Sequence, residues 1–301
     1  MNIKSVVKNQ SVRHAVLKLF AWVPDRIMLP IQYYLILNRR LNMRSPIRFT
    51  EKIQCYKAFY RNPDMLKCVD KFLVREYVAT KLGTEKHLNT LYQVCDKAEE
   101  IDFAKLPNQF VVKTTDGGSG DNVFICRDKQ KINTTEVIDL INSWRNKKYY
   151  SVSREWAYLG AKQSRIIVEQ FLTDDNENEL LDYKLFCFNG KVEFFKIDFD
   201  RQHNHRANYY DLDMNILPIG ESECPPDSQR FFSKPKSLDK MVKLAEILSK
   251  DFPFVRVDFY NIEGEIYFGE LTFYPASGYT KFVPDSADFA LGKLFTYSFN
   301  K

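Results

Sequence analysis

With 301 residues, 45% of them apolar and 15% aromatic, the chain has ample material for a sizeable core, which argues against disorder. Its formal charge of +5 arises from 44 basic and 39 acidic residues, an excess too small for a nucleic-acid coat and better suited to an anionic ligand. The 24 Phe and 17 Tyr against 11 Gly suggest a strand-rich interior, so a mixed α and β protein is expected.

Residues 15–37 are apolar, but Lys18, Pro24, Asp25, Arg26 and Pro30 interrupt them well short of the ~20 residues that a membrane span requires. Two short helices docked on the core are expected. The alternative is peripheral contact with an acidic membrane surface through Trp22, Tyr33 and Tyr34, which Arg39, Arg40 and Arg44 follow.

An amphipathic stretch opens at Thr50-Glu51-Lys52, and Asn62-Pro63 introduces a second over residues 64–81, which Gly83 ends as a C-terminal cap. Residues 88–94 read as a strand and 98–103 as a turn of helix. Strands over 109–113 and 123–126 form a hairpin around a glycine-rich tip, and residues 134–145 form a helix capped by Thr134 or Thr135. Strands over 164–171, 183–189 and 191–198 follow, with Asn189-Gly190 marking a tight turn between the last two. A basic loop (201–208) and a hairpin-like piece (209–217) lead into a Pro- and Ser-rich segment, 218–235, which reads as a flexible connector. A helix over 238–250 and a hairpin of 255–260 with 266–272 complete the chain.

The cysteines, Cys55, Cys68, Cys95, Cys126, Cys187 and Cys224, form no C-x-x-C pair, and nothing resembles a secretory signal. Reduced thiols in a cytoplasm are the natural reading.

Four features carry chemistry. Val112-Lys113 runs into Gly117-Gly118-Ser119-Gly120, where small residues let backbone N–H groups approach phosphate oxygens beside a fixed positive charge; the order G-x-x-x-x-G-K is absent. Ile166 to Leu172 is a buried strand whose end offers backbone groups to an adenine edge. In the last hairpin, alternation puts Arg256 and Asp258 on one face and Glu270 and Thr272 on one face of the next strand. Two carboxylates side by side are costly unless neutralised, which implies a hard cation with oxygen ligands. Far upstream stands Asp70-Lys71.

In this order these features resemble the ATP-grasp family over residues 64–280. More narrowly, Ser45-Pro46-Ile47-Arg48-Phe49-Thr50-Glu51-Lys52-Ile53-Gln54, Asp182-Tyr183-Lys184-Leu185-Phe186-Cys187-Phe188-Asn189-Gly190-Lys191 and Gly269-Glu270-Leu271-Thr272-Phe273-Tyr274-Pro275 look like its teichuronopeptide-biosynthesis (TupA-like) branch, found in cell-surface polysaccharide pathways. The resemblance implies an α+β ATP-grasp fold that holds its nucleotide between two α+β lobes, with an extra helical N-terminal segment. The implied divisions are 1–62 (helical extension), 63–108 (N-terminal lobe), 109–172 (small lobe with the glycine loop) and 173–301 (C-terminal lobe with the magnesium site).

It further implies that Lys71 and Lys113 hold ATP phosphates under Gly117, Gly118, Ser119 and Gly120, and that Glu169, Gln170, Phe171 and Leu172 meet adenine. Asp182, near ribose, and Lys184 complete the nucleotide site. Asp258, Glu270 and Thr272 would bind Mg2+, with Arg256 and Lys113 as catalytic residues. The reaction implied is ligation of an amino acid or small amine to a uronic acid on a glycan or a nucleotide- or lipid-linked sugar, through an acylphosphate. The substrate is expected at Arg201, His203, His205, Arg206 and Ser277, where two arginines can fork onto a carboxylate. The sequence departs from the family at Thr272, where a metal-ligating Asn is usual, and at Ala276, where Gly is usual. The rival readings are a glycosyltransferase using Asp211-Leu212-Asp213, which reads rather as a turn at a strand end, and a non-catalytic ATP-binding protein. No third ligand accompanies His203 and His205 to make a zinc site.

Overall fold

The computed structural model describes residues 19–117, 122–145, 150–159, 164–174, 180–201 and 204–298. Helix α1 is Asp25–Leu37, α2 Phe49–Phe59 and α3 Leu73–Leu82, which Gly83 ends in the left-handed region at φ 67°. The amphipathic stretch over 64–81 divides into a single turn, Asp64–Cys68, and then α3. Asp70 then turns back on the chain, its Oδ1 accepting from Phe72 N and Leu73 N at 2.9 and 2.8 Å. In the N-terminal stretch α1 runs unbroken through Pro30, while residues 15–18, part of the span expected to hold two short helices, lie outside the described residues.

Two antiparallel sheets carry the rest. The smaller contains β1 (Leu91–Cys95), β2 (Phe110–Thr114), β3 (Val123–Cys126) and β4 (Ile166–Gln170) in the order β1-β4-β2-β3. Its Phe110, Val112, Ile166 and Val168 pack on Val137, Ile141 and Trp144 of α4, Thr134–Arg145. This helix begins at Asn133, whose Oδ1 accepts from Thr135 N at 3.1 Å, so the cap lies one residue before the expected threonines. The opposite face presents Lys113 and Glu169.

The larger sheet has the order β10-β9-β5-β6-β7, from β5 (Asp182–Phe188), β6 (Lys191–Phe199), β7 (Arg206–Tyr210), β9 (Phe254–Ile262) and β10 (Glu265–Thr272). Asn189 and Gly190 both have positive φ, 50° and 77°, as a two-residue hairpin of this hand requires. One face, with Leu185, Phe195, Ile197, Val257 and Phe259, is apolar and lies under α5, Leu238–Ser249. The other face is charged.

Residues 218–235 are not merely a connector. They contain β8 (Gly220–Glu221), paired with β11 (Phe282–Val283), and Asp227 exchanges hydrogen bonds with Asn208. The chain closes on itself where α6, Ser286–Leu294, meets α2. Asp288 accepts from Thr50 N and Oγ1 at 2.9 and 2.8 Å, Lys52 donates to Gly292 O and Phe295 O at 2.6 and 2.7 Å, and a Cβ on Gly292 would come within 2.1 Å of Ile47 O. The six cysteines are buried and free of disulfides. Among the described residues no helix is long and apolar enough to cross a membrane.

Candidate functional site

The charged face of the large sheet is ordered by strand register. Antiparallel pairing sets Thr272 opposite Arg256 and Glu270 opposite Asp258, as alternation along the hairpin suggests. The next pairings carry the second row on to Lys184 of β5, Lys196 of β6 and Tyr209 of β7, while Tyr260, Asp182 and Asp198 form the row beside it. Gly269 makes a bulge in β10, where an added Cβ would meet Asp258 O at 3.1 Å.

Buried charges in such rows must compensate one another. Asp258 accepts from Arg256 Nε and Nη2 at 2.7 and 2.6 Å and from Lys184 Nζ at 3.2 Å. Burial would raise its pKa, but these two cations hold the carboxyl below its ordinary value. Lys184 also contacts Asp182, and Asp198 at 3.6 Å. Lys196 joins Asp198 to Glu221 at 3.2 and 2.9 Å, and Tyr209 and Cys224 also donate to Glu221. Asp198 is nearly buried, which alone would raise its pKa; Lys196, His205, Lys184 and Arg201 more than reverse this.

The small sheet faces this array with Lys113, whose Nζ meets Glu169 Oε2 at 2.9 Å; Arg75 approaches Glu169 Oε1 at 3.5 Å. The strand-end lysine thus has a carboxylate partner within the protein. Lys71 N donates to Thr115 O at 2.9 Å and Lys71 Nζ to Gly117 O, which ties Lys71 to the start of the glycine loop. Burial lowers the Lys71 pKa, and the charges of Glu270, Lys113, Asp116 and Glu169 also reach it. Lys71 and Lys113 therefore stand together, as expected, with Glu270 close enough to act on both.

Other expected residues fall differently. Gln170 N donates to Thr90 O and Gln170 O accepts from Asn89 Nδ2, both at 2.9 Å, so its backbone is engaged within the protein, and a base edge would meet its side chain or the backbone of Phe171 and Leu172. Arg201 contacts Asp182 at 3.2 Å and Asp198 at 3.8 Å, and His205 approaches Asp198 at 3.8 Å. Arg206 lies within β7. Gly118, Ser119, Gly120 and His203 lie outside the described residues. Asp211 holds its own turn, its Oδ1 accepting from Asp213 N and Asn215 N at 2.9 and 2.8 Å, the turn that the sequence suggests at this strand end.

Ser277 is held from below by a residue that sequence reasoning passed over. Lys57, fully buried on α2, donates to Ser277 O and Oγ at 2.6 Å each and to Ser153 O at 3.0 Å. Burial pushes its ammonium down to about 8, against the charges of Glu155 and Asp25. Gln54, one helical turn earlier, donates to Ser277 O and Gly278 O at 3.1 and 2.9 Å. The clamped turn has Ala276, Ser277 and Gly278 all at positive φ, 44°, 54° and 71°. A signal was available in the spacing of Ile53, Gln54, Tyr56 and Lys57, which puts a lysine on the apolar face of an amphipathic helix.

Magnesium is the cation this donor set would suit. Asp258 Oδ2, Glu270 Oε1 and Thr272 Oγ1 converge on one point, which Arg256 Nη2 occupies at 2.6, 3.4 and 3.0 Å. Two carboxylates and a hydroxyl are hard oxygen ligands, so they fit a hard divalent ion provided the guanidinium withdraws.

A family model described as TupA-like ATPgrasp matches residues 51–296. Among solved structures, D-alanine–D-alanine ligase from Bacillus anthracis is 19% identical, with 76% of this chain and 66% of that one covered and a TM-score of 0.45. An L-amino acid ligase from Bacillus licheniformis is 12% identical over 91% of this chain and 57% of that one, with a TM-score of 0.46. N5-carboxyaminoimidazole synthetase from Staphylococcus aureus, complexed with ADP, is 11% identical over 68% and 44%, with a TM-score of 0.41. The chain thus spans 66% or less of the length of these structures. No curated protein matches it.

Proposed function

This chain belongs to the TupA-like ATP-grasp family, and from that premise we propose that it is an ATP-dependent carboxylate–amine ligase of surface-polysaccharide biosynthesis, working in the cytoplasm. One observation carries the reading: the register that sets Glu270 and Thr272 against Asp258 and Arg256, within electrostatic reach of Lys71 and Lys113 on the facing elements.

A substrate carboxylate oxygen attacks the γ-phosphorus of ATP, the bond to the bridging oxygen breaks, and ADP leaves. The amine nitrogen then attacks the acyl carbon, loses a proton and expels phosphate to leave an amide. Lys71 and Lys113 bind phosphate oxygens, and Arg256 faces the charge that develops between phosphate and acyl group. Positioning and fixed charge supply most of the rate in such transfers. Asp258, Glu270 and Thr272 would hold Mg2+, which when bound neutralises phosphate charge. Asp182 and Lys184 complete the nucleotide site, with Phe171 and Leu172 at the base. Arg201 and His205, beside Asp182 and Asp198, would take the sugar carboxylate, and Ser277, in the turn after β10, would contact the substrate as well. The proposed carboxylate is a uronic acid on a glycan or on a nucleotide- or lipid-linked sugar.

The test is ADP release over pooled uronic acids and amino acids, alongside thermal shift with Mg-ATP and with a UDP-sugar. The proposal expects stabilisation by Mg-ATP alone and ADP release that needs both substrates. Stabilisation by the UDP-sugar alone, or ATP binding without ADP release for any pair, refutes it.

A further inference from the structure

A surface helix ordinarily buries one face and presents a polar one. Helix α1 does not. Its inner face, Met28, Leu29, Tyr33 and Leu37, is buried, with Gln32 Nε2 donating to Val152 O and Tyr33 meeting Thr50 Oγ1. Its outer face repeats at i, i+4, i+7 and i+8 with Ile27, Ile31, Tyr34 and Leu35, exposed by 55, 45, 54 and 43%. Just before the helix, Leu19 and Trp22 are exposed by 72 and 80%. Singly exposed apolar residues mean little, but a contiguous patch marks a binding surface.

Charge says what covers it. Residues 1–48 carry nine Lys or Arg against the single Asp25, a net +8 in a chain whose total is +5, so the remaining residues carry −3. Asp25 is itself paired with Arg154 at 2.9 Å. Arg26, Arg40 and Arg44 are exposed around the apolar stripe. Exposed apolar side chains beside exposed arginines, in a segment whose net positive charge exceeds that of the whole chain, match the interface of an anionic bilayer, with the apolar groups among the acyl chains and the arginines on headgroup phosphates.

We propose that α1 and the residues just before it seat the protein on the surface of an anionic phospholipid membrane without crossing it. The proposal is independent of the ligase reading. It is tested by co-sedimentation of the full chain with phosphatidylcholine vesicles and with vesicles of about three parts phosphatidylcholine to one of phosphatidylglycerol. Binding is expected on the anionic vesicles only, weakening as salt rises, with a blue shift of tryptophan emission that Trp22→Leu removes. The triple variant Ile27→Ser, Ile31→Ser, Tyr34→Ser alters only exposed side chains and should weaken binding by about tenfold or more at an unchanged melting temperature. Equal or absent binding on the two vesicles overturns the proposal, as does full binding by the triple variant. A dimer in sedimentation velocity that the triple variant abolishes also overturns it, since a second copy would then own the face.

Discussion

Replacing Asp258 by Asn and Glu270 by Gln should separate two carboxylates that the hairpin sets side by side. Asp258 is 3% exposed and accepts three hydrogen bonds from Arg256 and Lys184, whereas Glu270 is 41% exposed and its ion pair with Arg256 is a long 3.4 Å contact. Taking one partner from a buried ion pair costs about 3–5 kcal/mol. Lys184 retains Asp182 and Asp198, and Arg256 retains Glu270, so the lower end, about 3 kcal/mol, is expected for Asp258→Asn. Glu270→Gln should stay within about 1 kcal/mol, as for exposed pairs. In a chain of this size that difference is a gap of roughly 6 °C between the melting temperatures of the ligand-free variants. Because the folded Asp258 carboxyl is held below its ordinary 3.8, its stabilisation is present at neutral pH and lost in acid, so the gap should close as the pH falls below that value. Both variants should lose ADP formation. Equal melting of the two would refute the network as the support of this sheet face, and native turnover by either would refute the metal assignment.

Lys113→Met leaves the buried Glu169 carboxylate only Arg75 at 3.5 Å, so it should lose about 3 kcal/mol of stability, and the folded variant should bind Mg-ATP about tenfold to a hundredfold more weakly; native ATP affinity in that variant would exclude a phosphate role. Amides of residues 114–122 should gain hydrogen-exchange protection when Mg-ATP binds, since glycines leave the loop few side chains of its own to anchor it, and unchanged exchange at saturation counts against phosphate contact. Lys57 should titrate near 8 by NMR, against 10.5 unfolded. Between those values the unfolded chain holds more protons, so raising the pH should stabilise the native protein relative to Lys57→Met, and a flat difference would contradict a buried ammonium. The same substitution should speed hydrogen exchange over residues 275–279, where Lys57 holds the turn.

What could be read in the sequence was local. Strand alternation and a short turn are enough to bring Arg256, Asp258, Glu270 and Thr272 to one face, and Asn189-Gly190 and Gly83 need only their own backbone preferences. The cations that meet those carboxylates depend on which strands become neighbours. Lys184 lies between Asp258 and Asp198 because β5 is inserted between β9 and β6, and β5 and β9 are more than fifty residues apart in sequence. Alternation alone therefore shows Asp258 beside Glu270 but neither the Lys184 ion pair at Asp258 nor the Glu169 carboxylate at Lys113. Glu221 carries no signal within 218–235, because a two-residue strand leaves no periodic trace. The backbone partners of Gln170, Thr90 and Asn89, are equally illegible, as they come from the end of a loop about eighty residues earlier.

The clasp between α2 and α6 has a consequence for how the protein is made. Thr50 and Asp288 are 238 positions apart, and Lys52 reaches Phe295 across 243. At ~5–20 residues per second, a ribosome needs roughly 10 to 50 s between synthesising one half of the clasp and the other. During that interval α2 has no Asp288 to receive Thr50 and no carbonyls for Lys52. The first helices of the nascent chain must therefore wait, apolar side chains unsatisfied, until residues 286–295 clear the exit tunnel.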